Sequence, residues 1–131
     1  MERNPAPADS PEATRGKILA TAKTLVQRHG GHKLTVVEIA RELGMSHANV
    51  YRYYKSKAKI LDAIVDEWMT RLNAFMESIA QRRAPAAVRI EALVLELYLA
   101  RADKCRKEPE IYVTYQRVMD LRPEAVEQRQ A

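Results

Sequence analysis

Residues 35–57 of the chain have the sequence TVVEIARELGMSHANVYRYYKSK, which predicts two short helices joined by a tight turn. Thr35 stands three residues before Glu38, the spacing of a capping box that begins a helix. Gly44 ends this first helix, because glycine reaches the left-handed closing conformation without a steric penalty. Ser46 follows almost at once and is a suitable cap for a second helix. The segment therefore predicts a helix-turn-helix.

Apolar side chains at helical spacing predict which side of each helix faces inward. Leu34 lies just before the first cap and Ile39 lies one turn inside, so the two can pack as a hydrophobic staple. On the second helix, Val50 and Tyr54 are four residues apart and share one face. The Tyr54 hydroxyl then needs a hydrogen-bond partner in the core. The residues expected to face inward are Leu34, Ile39, Ala40, Leu43, Met45, Val50 and Tyr54.

The opposite face of the second helix carries His47, Ala48, Tyr51 and Arg52. A small residue allows close approach to a DNA major groove, and an arginine can make a bidentate contact with guanine. An ordinary solvated helix face has a similar composition, so this pattern alone does not separate the two interpretations.

A third helix predicted to begin at Ser56 has cations in its first turn, at Lys57 and Lys59. Each lysine there opposes the positive end of the helix dipole, at a cost of roughly 0.3 to 1 kcal/mol unless an anion is also bound. Lys33 stands likewise just before the helix that Thr35 caps. A phosphate backbone is one such anion, and two helix N-termini with nearby lysines suit it. The alternative interpretation is that these lysines are exposed to solvent and bind no anion.

Residues 14–64 as a whole resemble the DNA-binding domain of the TetR family of bacterial transcriptional regulators. The matching pieces are a preceding helix over about 12–29, the block TVVEIARELGMS and the block VYRYYKSK. The second block is similar to the aromatic-rich recognition helix of the family and the lysine that follows it.

Carried over by position, the resemblance implies two groups of DNA contacts. Phosphate contacts fall on Thr35, Tyr51, Tyr53 and Lys57. Base edges lie near Val36, Val37, His47, Ala48, Asn49 and Arg52, of which His47 and Arg52 are the best candidates for readout, and Ser46 completes the DNA-binding set.

The chain departs from the family pattern at two places within this segment. Many family members have a polar or basic residue near Val37. A valine side chain has no polar group, so it adds no hydrogen bond to DNA at this position. Histidine or phenylalanine is usual where Tyr53 and Tyr54 stand. For Tyr51 and Tyr53, a packing role is the alternative to phosphate contact.

The charge is unevenly distributed along the chain. Residues 1–60 contain 11 Lys and Arg against 5 Asp and Glu, whereas residues 61–131 contain 11 against 12. A localised basic surface favours polyanions. The polar, proline-rich start and the lack of a long apolar run predict a cytoplasmic protein with no membrane partner. The single cysteine, Cys105, suits a reducing compartment and is expected to be a packing residue, with a redox sensor as the alternative.

The pattern predicts an all-α fold. Residues 1–11 are predicted to be a disordered tail, 12–57 the helix-turn-helix domain and 58–131 a helical regulatory or dimerisation part that is incomplete relative to the family. Ser10 and Pro11 are expected to begin the first helix, and Gly30-Gly31 to end it. The fourth helix should run to about residue 83. Pro85 and Pro109 are expected to begin two further helices.

The helix after Pro85 contains EALVLELYLA (91–100), which is apolar around most of its circumference and must be covered. Only one long and one short helix are available for that, so a partner chain is expected. The alternative is that the chain is incomplete, because members of the family that it resembles usually continue through several more helices. Aromatic and methionine residues at helical spacing are either core or the lining of a small-molecule effector pocket. They are Trp68, Met69, Phe75, Met76, Tyr98, Tyr112 and Tyr115.

No sequence motif for catalysis or for a cofactor is found, so no catalytic residues, metal site or cofactor are expected. His29 and His32 near Gly30-Gly31 are a weak metal signal. The sequence and the resemblance together predict a ligand-responsive repressor that binds a palindromic operator as a homodimer. The alternative is a helical adaptor that keeps the motif as a scaffold and binds protein instead of DNA.

Overall fold

The computed structural model describes residues 10–122, which form six α-helices, one short 3₁₀ helix and no strand. This agrees with the predicted all-α fold. The predicted tail lies mostly outside the described residues, although Ser10 and Pro11 belong to the start of the first helix. The elements are α1 (Pro11–His29), the 3₁₀ helix (Gly31–Lys33), α2 (Val36–Leu43), α3 (His47–Tyr53), α4 (Lys57–Ala80), α5 (Ala86–Lys107) and α6 (Pro109–Asp120).

Serine or threonine caps begin the first four α-helices. The Ser10 hydroxyl accepts from the Ala13 N–H at 3.2 Å, and Thr35 accepts from Glu38 at 3.2 Å. Ser46 and Ser56 likewise cap α3 and α4, as described below. Each hydroxyl satisfies one backbone donor that the helix leaves without a partner. These are the caps that the sequence predicted.

Gly44 closes α2 in the left-handed conformation, with φ 63° and ψ 33°. Its backbone N–H donates to the carbonyls of Ala40 and Arg41. Most other residues would be strained at this φ, so the glycine permits the sharp turn into α3. The turn fixes the angle at which α3 leaves α2.

One apolar core joins the first four α-helices and reaches α6. Val50 of α3 and Ile60 of α4 are both fully buried in it, and the staple residues Leu34 and Ile39 lie in the same cluster. The buried members are Ile18, Ala22, Leu25, Val26, Leu34, Val36, Ile39, Ala40, Val50, Ile60, Ile64 and Ile111. Of the other residues predicted to face inward, Leu43, Met45 and Tyr54 are partly buried against this core.

The long helix α4 connects this domain to the rest of the chain. It ends at Ala80, three residues before the predicted end, and Gln81 is its C-cap. Lys23 of α1 and Glu67 of α4 form an ion pair at 2.9 Å. This pair fastens α1 to the middle of α4.

The last helix, α6, packs back onto α1 and the 3₁₀ helix. A Cβ placed on Gly31 would lie 2.6 Å from the Thr114 hydroxyl, so a larger residue here would displace the Thr114 side chain. Between α5 and α6, Glu108 accepts from Gln27 of α1 at 2.6 Å and from Lys104. The hydrogen bond from Lys104 lowers the pKa of the Glu108 carboxyl. The C-terminal helices are therefore joined directly to the helix-turn-helix domain.

Candidate DNA-binding surface

Helix α3 has one buried side and one open side. The Val50 side chain is fully buried, and the turn of the helix places His47, Ala48, Tyr51 and Arg52 in solvent. Ser46 is also exposed, and its hydroxyl accepts from the Asn49 N–H at 3.1 Å. Asn49 is half-buried. The open side of α3 therefore brings together a small residue, an aromatic ring, an imidazole and a guanidinium.

The start of α2 contributes Thr35 and Val37, which are both exposed. Val36 departs from its predicted place near base edges. Its side chain is only 8% exposed and belongs to the core. The reason is the helical spacing, because Val36 lies on the same face as Ile39 and Ala40.

Tyr53 is the last residue of α3 and Tyr54 follows it. Both side chains lie partly buried against the core. Tyr54 is not helical, as the structure makes it the C-cap residue with φ −132°. The guanidinium of Arg15, on α1, lies 6.0 Å from the ring centre of Tyr53 and 5.7 Å from that of Tyr54. Cations at such distances are attracted to the ring faces. Burial raises the pKa of the Tyr54 hydroxyl, while the charge of Arg15 opposes that rise.

The first turn of α4 carries the predicted lysines. Ser56 caps it by accepting from the Lys59 N–H at 3.2 Å, and no acidic residue occurs in this turn. The Lys57 ammonium donates to the carbonyl of His32 at 2.9 Å. An ammonium has three N–H donors, so this contact leaves two of them for another acceptor. Lys57 thus joins the α4 N-terminus to the 3₁₀ helix.

A cleft of about 310 Å³ beside the end of α3 gathers three cations, of which Arg15 and Lys55 were not among the phosphate contacts considered from the sequence. Arg15 comes from α1, Lys55 from the α3–α4 turn and Lys59 from α4. Asp62 and Asp66 line the same cleft. The charged run KSKAK was visible in the sequence, but Arg15 reaches this place only through the packing of α1.

The seven residues predicted to line an effector pocket do not form one site. Trp68 packs edge-on against Tyr115, with ring centres 4.5 Å apart, and lies 6.2 Å from Tyr112. Phe75 is 36% exposed and Tyr98 68% exposed, and Tyr98 borders a shallow depression on α5. Met69 and Met76 are half-buried on α4. The set is divided between an aromatic cluster and two open helix faces.

Within residues 10–122, no group of three or more His, Cys, Asp or Glu side chains is placed to hold a metal ion. The same part of the chain contains no helix long and apolar enough to cross a membrane.

Comparison with protein families finds a match over residues 18–64 to the model described as bacterial regulatory proteins, tetR family. The nucleoid occlusion factor SlmA of Shewanella woodyi is 31% identical over 75 residues, which are 53% of this chain and 38% of that protein. SlmA of Aliivibrio fischeri strain MJ11 is 31% identical over 91 residues, which cover 69% of this chain and 46% of that protein. The chain spans less than half the length of these relatives.

Two solved structures share the fold. A gamma-butyrolactone receptor, described as an ArpA-like protein, superposes with a TM-score of 0.65 at 20% identity, over 87% of this chain and 58% of the other. AmtR of Mycobacterium smegmatis superposes with a TM-score of 0.58 at 23% identity, over 98% of this chain and 59% of the other. The likeness confirms an N-terminal helix-turn-helix domain followed by a helical part. Residues 18–64 of this chain therefore match the N-terminal domain of the TetR family of bacterial regulatory proteins.

Proposed function

We propose that the chain is a transcriptional regulator that binds double-stranded DNA with α3 in the major groove. The observation that carries this proposal is the orientation of α3. Val50 anchors one side of the helix in the core, and His47, Ala48 and Arg52 stand free on the other. Ala48 lets the helix approach the floor of the groove, while Arg52 and His47 supply donors for base edges.

In this proposal, phosphate contacts lie on both sides of α3. Thr35 at the start of α2, Tyr51 on α3 and Lys57 on α4 are the best placed, since each has an exposed or half-exposed polar group. Tyr53 has a smaller role, because its ring packs against the core beside Arg15. The excess of basic residues in the first 60 positions adds attraction that does not depend on DNA sequence.

More specifically, we propose that the protein is a repressor that binds a palindromic operator as a homodimer and responds to a small molecule. Two copies of α3 would then lie about 34 to 36 Å apart, or a multiple of that distance, to read two half-sites. A selection of bound sequences from random duplexes tests this directly. Recovered sites with two-fold symmetry are the expected result, and single, asymmetric sites would contradict the palindrome.

An adaptor that binds protein instead of DNA is the second candidate, favoured by the exposed apolar side chains of α5. The two functions differ in their response to salt. A DNA-binding protein releases condensed counterions and loses affinity steeply as salt rises, whereas an adaptor shows no duplex affinity to lose.

Replacing Lys57 by alanine is expected to lower the affinity for all duplexes alike. The lysine contributes one phosphate contact, so the slope of log affinity against log salt should fall by about one unit. The measurement is a duplex titration at several salt concentrations, with Arg83→Ala as the control. Arg83 is an exposed cation beyond the far end of α4, and its loss should leave the slope unchanged. Equal slopes for Lys57→Ala and the intact chain would reduce Lys57 to its structural contact with His32.

Replacing Arg52 by alanine is expected to act on sequence preference instead. Loss of a bidentate base contact should cost about 1 to 3 kcal/mol on the preferred site and relax the preference at one base position. Binding to the selected site and to its single-base variants measures both effects. An equal loss on every variant would identify Arg52 as a backbone contact.

A further inference from the structure

The cleft beside the end of α3 contains three exposed cations, at Arg15, Lys55 and Lys59. Within residues 10–122, none of the three forms an ion pair with a carboxylate. In the same part of the chain, no N–H group of the Arg15 guanidinium donates a hydrogen bond. The three side chains can therefore bind an anion without breaking an existing contact to an acid.

Aromatic rings, instead of an acid, hold the Arg15 guanidinium in this cleft. Its central carbon lies 6.0 Å from the ring centre of Tyr53 and 5.7 Å from that of Tyr54. Attraction to a ring uses no N–H donor, so the five donors of the guanidinium keep their capacity for an acceptor. The planar fork of an arginine matches the oxygens of a phosphate, and it binds them in pairs.

Two carboxylates, those of Asp62 and Asp66, line the same cleft and would repel an anion. Arg122, which lies two residues beyond α6, pairs with both of them. Its guanidinium is 2.9 Å from the Asp66 carboxylate and 3.5 Å from that of Asp62. The end of α6 therefore offsets the negative charge of the cleft, and the three cations leave it positive.

The cleft lies where a DNA strand would pass if α3 enters the major groove. α3 has seven residues. It is therefore about 10 Å long, close to the groove width of about 12 Å. A strand that borders the groove comes near the end of α3, where Tyr54 and then Lys55 follow. Lys59 lies on a different face of α4 from Lys57, because residues two positions apart point in nearly opposite directions on a helix. The cleft is thus separate from the contact proposed for Lys57.

We propose that this cleft binds one backbone phosphate of the DNA duplex through Arg15, Lys55 and Lys59, and that Arg122 removes the repulsion by the two aspartates. The inference rests on the proposed function, since it adds a contact to a DNA complex. It makes Arg15 and Lys55 DNA-binding residues. It also makes the end of α6 a determinant of DNA affinity.

Removal of single charges tests the site. Arg15→Met and Lys55→Met keep an apolar stem, and each should lower the slope of log affinity against log salt by about one unit on every duplex. Arg15→Lys keeps the charge and should keep the slope. Arg28→Met is the matched control on the same helix, about 20 Å from Arg15. Arg28 is exposed beside Glu42 of α2, so its loss should leave the slope unchanged.

Neutral backbone substitutions locate the contact. A selected duplex is prepared with a single methylphosphonate at one backbone position after another, and binding should weaken wherever a phosphate is contacted. At one of these positions, Arg15→Met and Lys55→Met should bind the modified and the unmodified duplex equally well. Lys57→Ala should show the same indifference at a different position.

Replacement of Arg122 tests the part played by the aspartates. Arg122→Ala should weaken duplex binding by roughly two- to five-fold, the effect of one partly exposed ion pair. Adding Asp62→Asn and Asp66→Asn should restore the affinity, because no carboxylate then repels the phosphate. Circular dichroism of each variant separates a change in binding from a loss of helix.

Three results would overturn the proposal while DNA binding itself stands. The slope could be unchanged in both Arg15→Met and Lys55→Met, these variants could be indifferent at the same phosphate as Lys57→Ala, or the two asparagines could fail to restore binding in Arg122→Ala. A folded, intact chain that binds no duplex would overturn the proposed function together with this contact.

Discussion

Ala48→Glu is expected to abolish detectable binding to duplex DNA while the fold remains intact. Ala48 is exposed in the first turn of α3. A glutamate there fills the space that close approach to the groove requires, and its charge is repelled by phosphates on both sides. Opposed like charges at an interface cost several kcal/mol, so affinity should fall on the order of 100-fold or more. A titration of the selected duplex measures the loss.

The same substitution should change the free energy of unfolding by less than about 0.5 kcal/mol, as is usual for an exposed site. A carboxylate near a helix N-terminus is favourable if anything. Ala48→Ser is the matched control, since it keeps a small side chain without charge and should retain binding. If Ala48→Glu binds duplexes as well as the intact chain, α3 does not enter the groove.

Trp68→Ala is expected to destabilise the fold by about 3 to 5 kcal/mol, the range for removal of a large buried aromatic residue. Trp68 is only 9% exposed and contacts Tyr112 and Tyr115 edge-on. The Lys104 ammonium lies 5.5 Å from the centre of its ring, so a cation–π contact would be lost as well. Chemical denaturation followed by circular dichroism gives the difference in unfolding free energy.

Phe75→Ala on the same helix is the control for Trp68. Phe75 is 36% exposed, so it leaves a smaller cavity and should cost about 1 kcal/mol or less. A loss for Trp68→Ala as small as that expected for Phe75→Ala would mean that Trp68 lies beside open space. That result would favour the predicted effector pocket over the aromatic cluster.

The helix ends were predictable because their determinants are local. Thr35, Ser46 and Ser56 each act on a backbone N–H three residues ahead, and Gly44 closes α2 by its own φ. The outward face of α3 followed from the same short-range periodicity. These are effects that a sequence displays within a few residues.

The remaining features depend on contacts between distant parts of the chain. Lys57 reaches the carbonyl of His32, which is 25 positions earlier, and Arg15 meets Tyr53 only because α1 packs beside α3. Helical spacing likewise placed Trp68 and Phe75 on α4 without indicating that α6 covers one of them and leaves the other partly open. Spacing identifies a face, and only the packing of the other helices decides whether that face is covered.

The most direct test of DNA binding is the affinity of the intact chain for a set of random and selected duplexes between about 50 and 200 mM salt. The expected result is binding at the low end and a linear fall of log affinity with log salt, with a slope of about −0.9 for each phosphate contacted. Failure to bind any duplex at the lowest salt concentration, with the protein shown to be folded, would contradict the central claim that the helix-turn-helix of this chain grips double-stranded DNA.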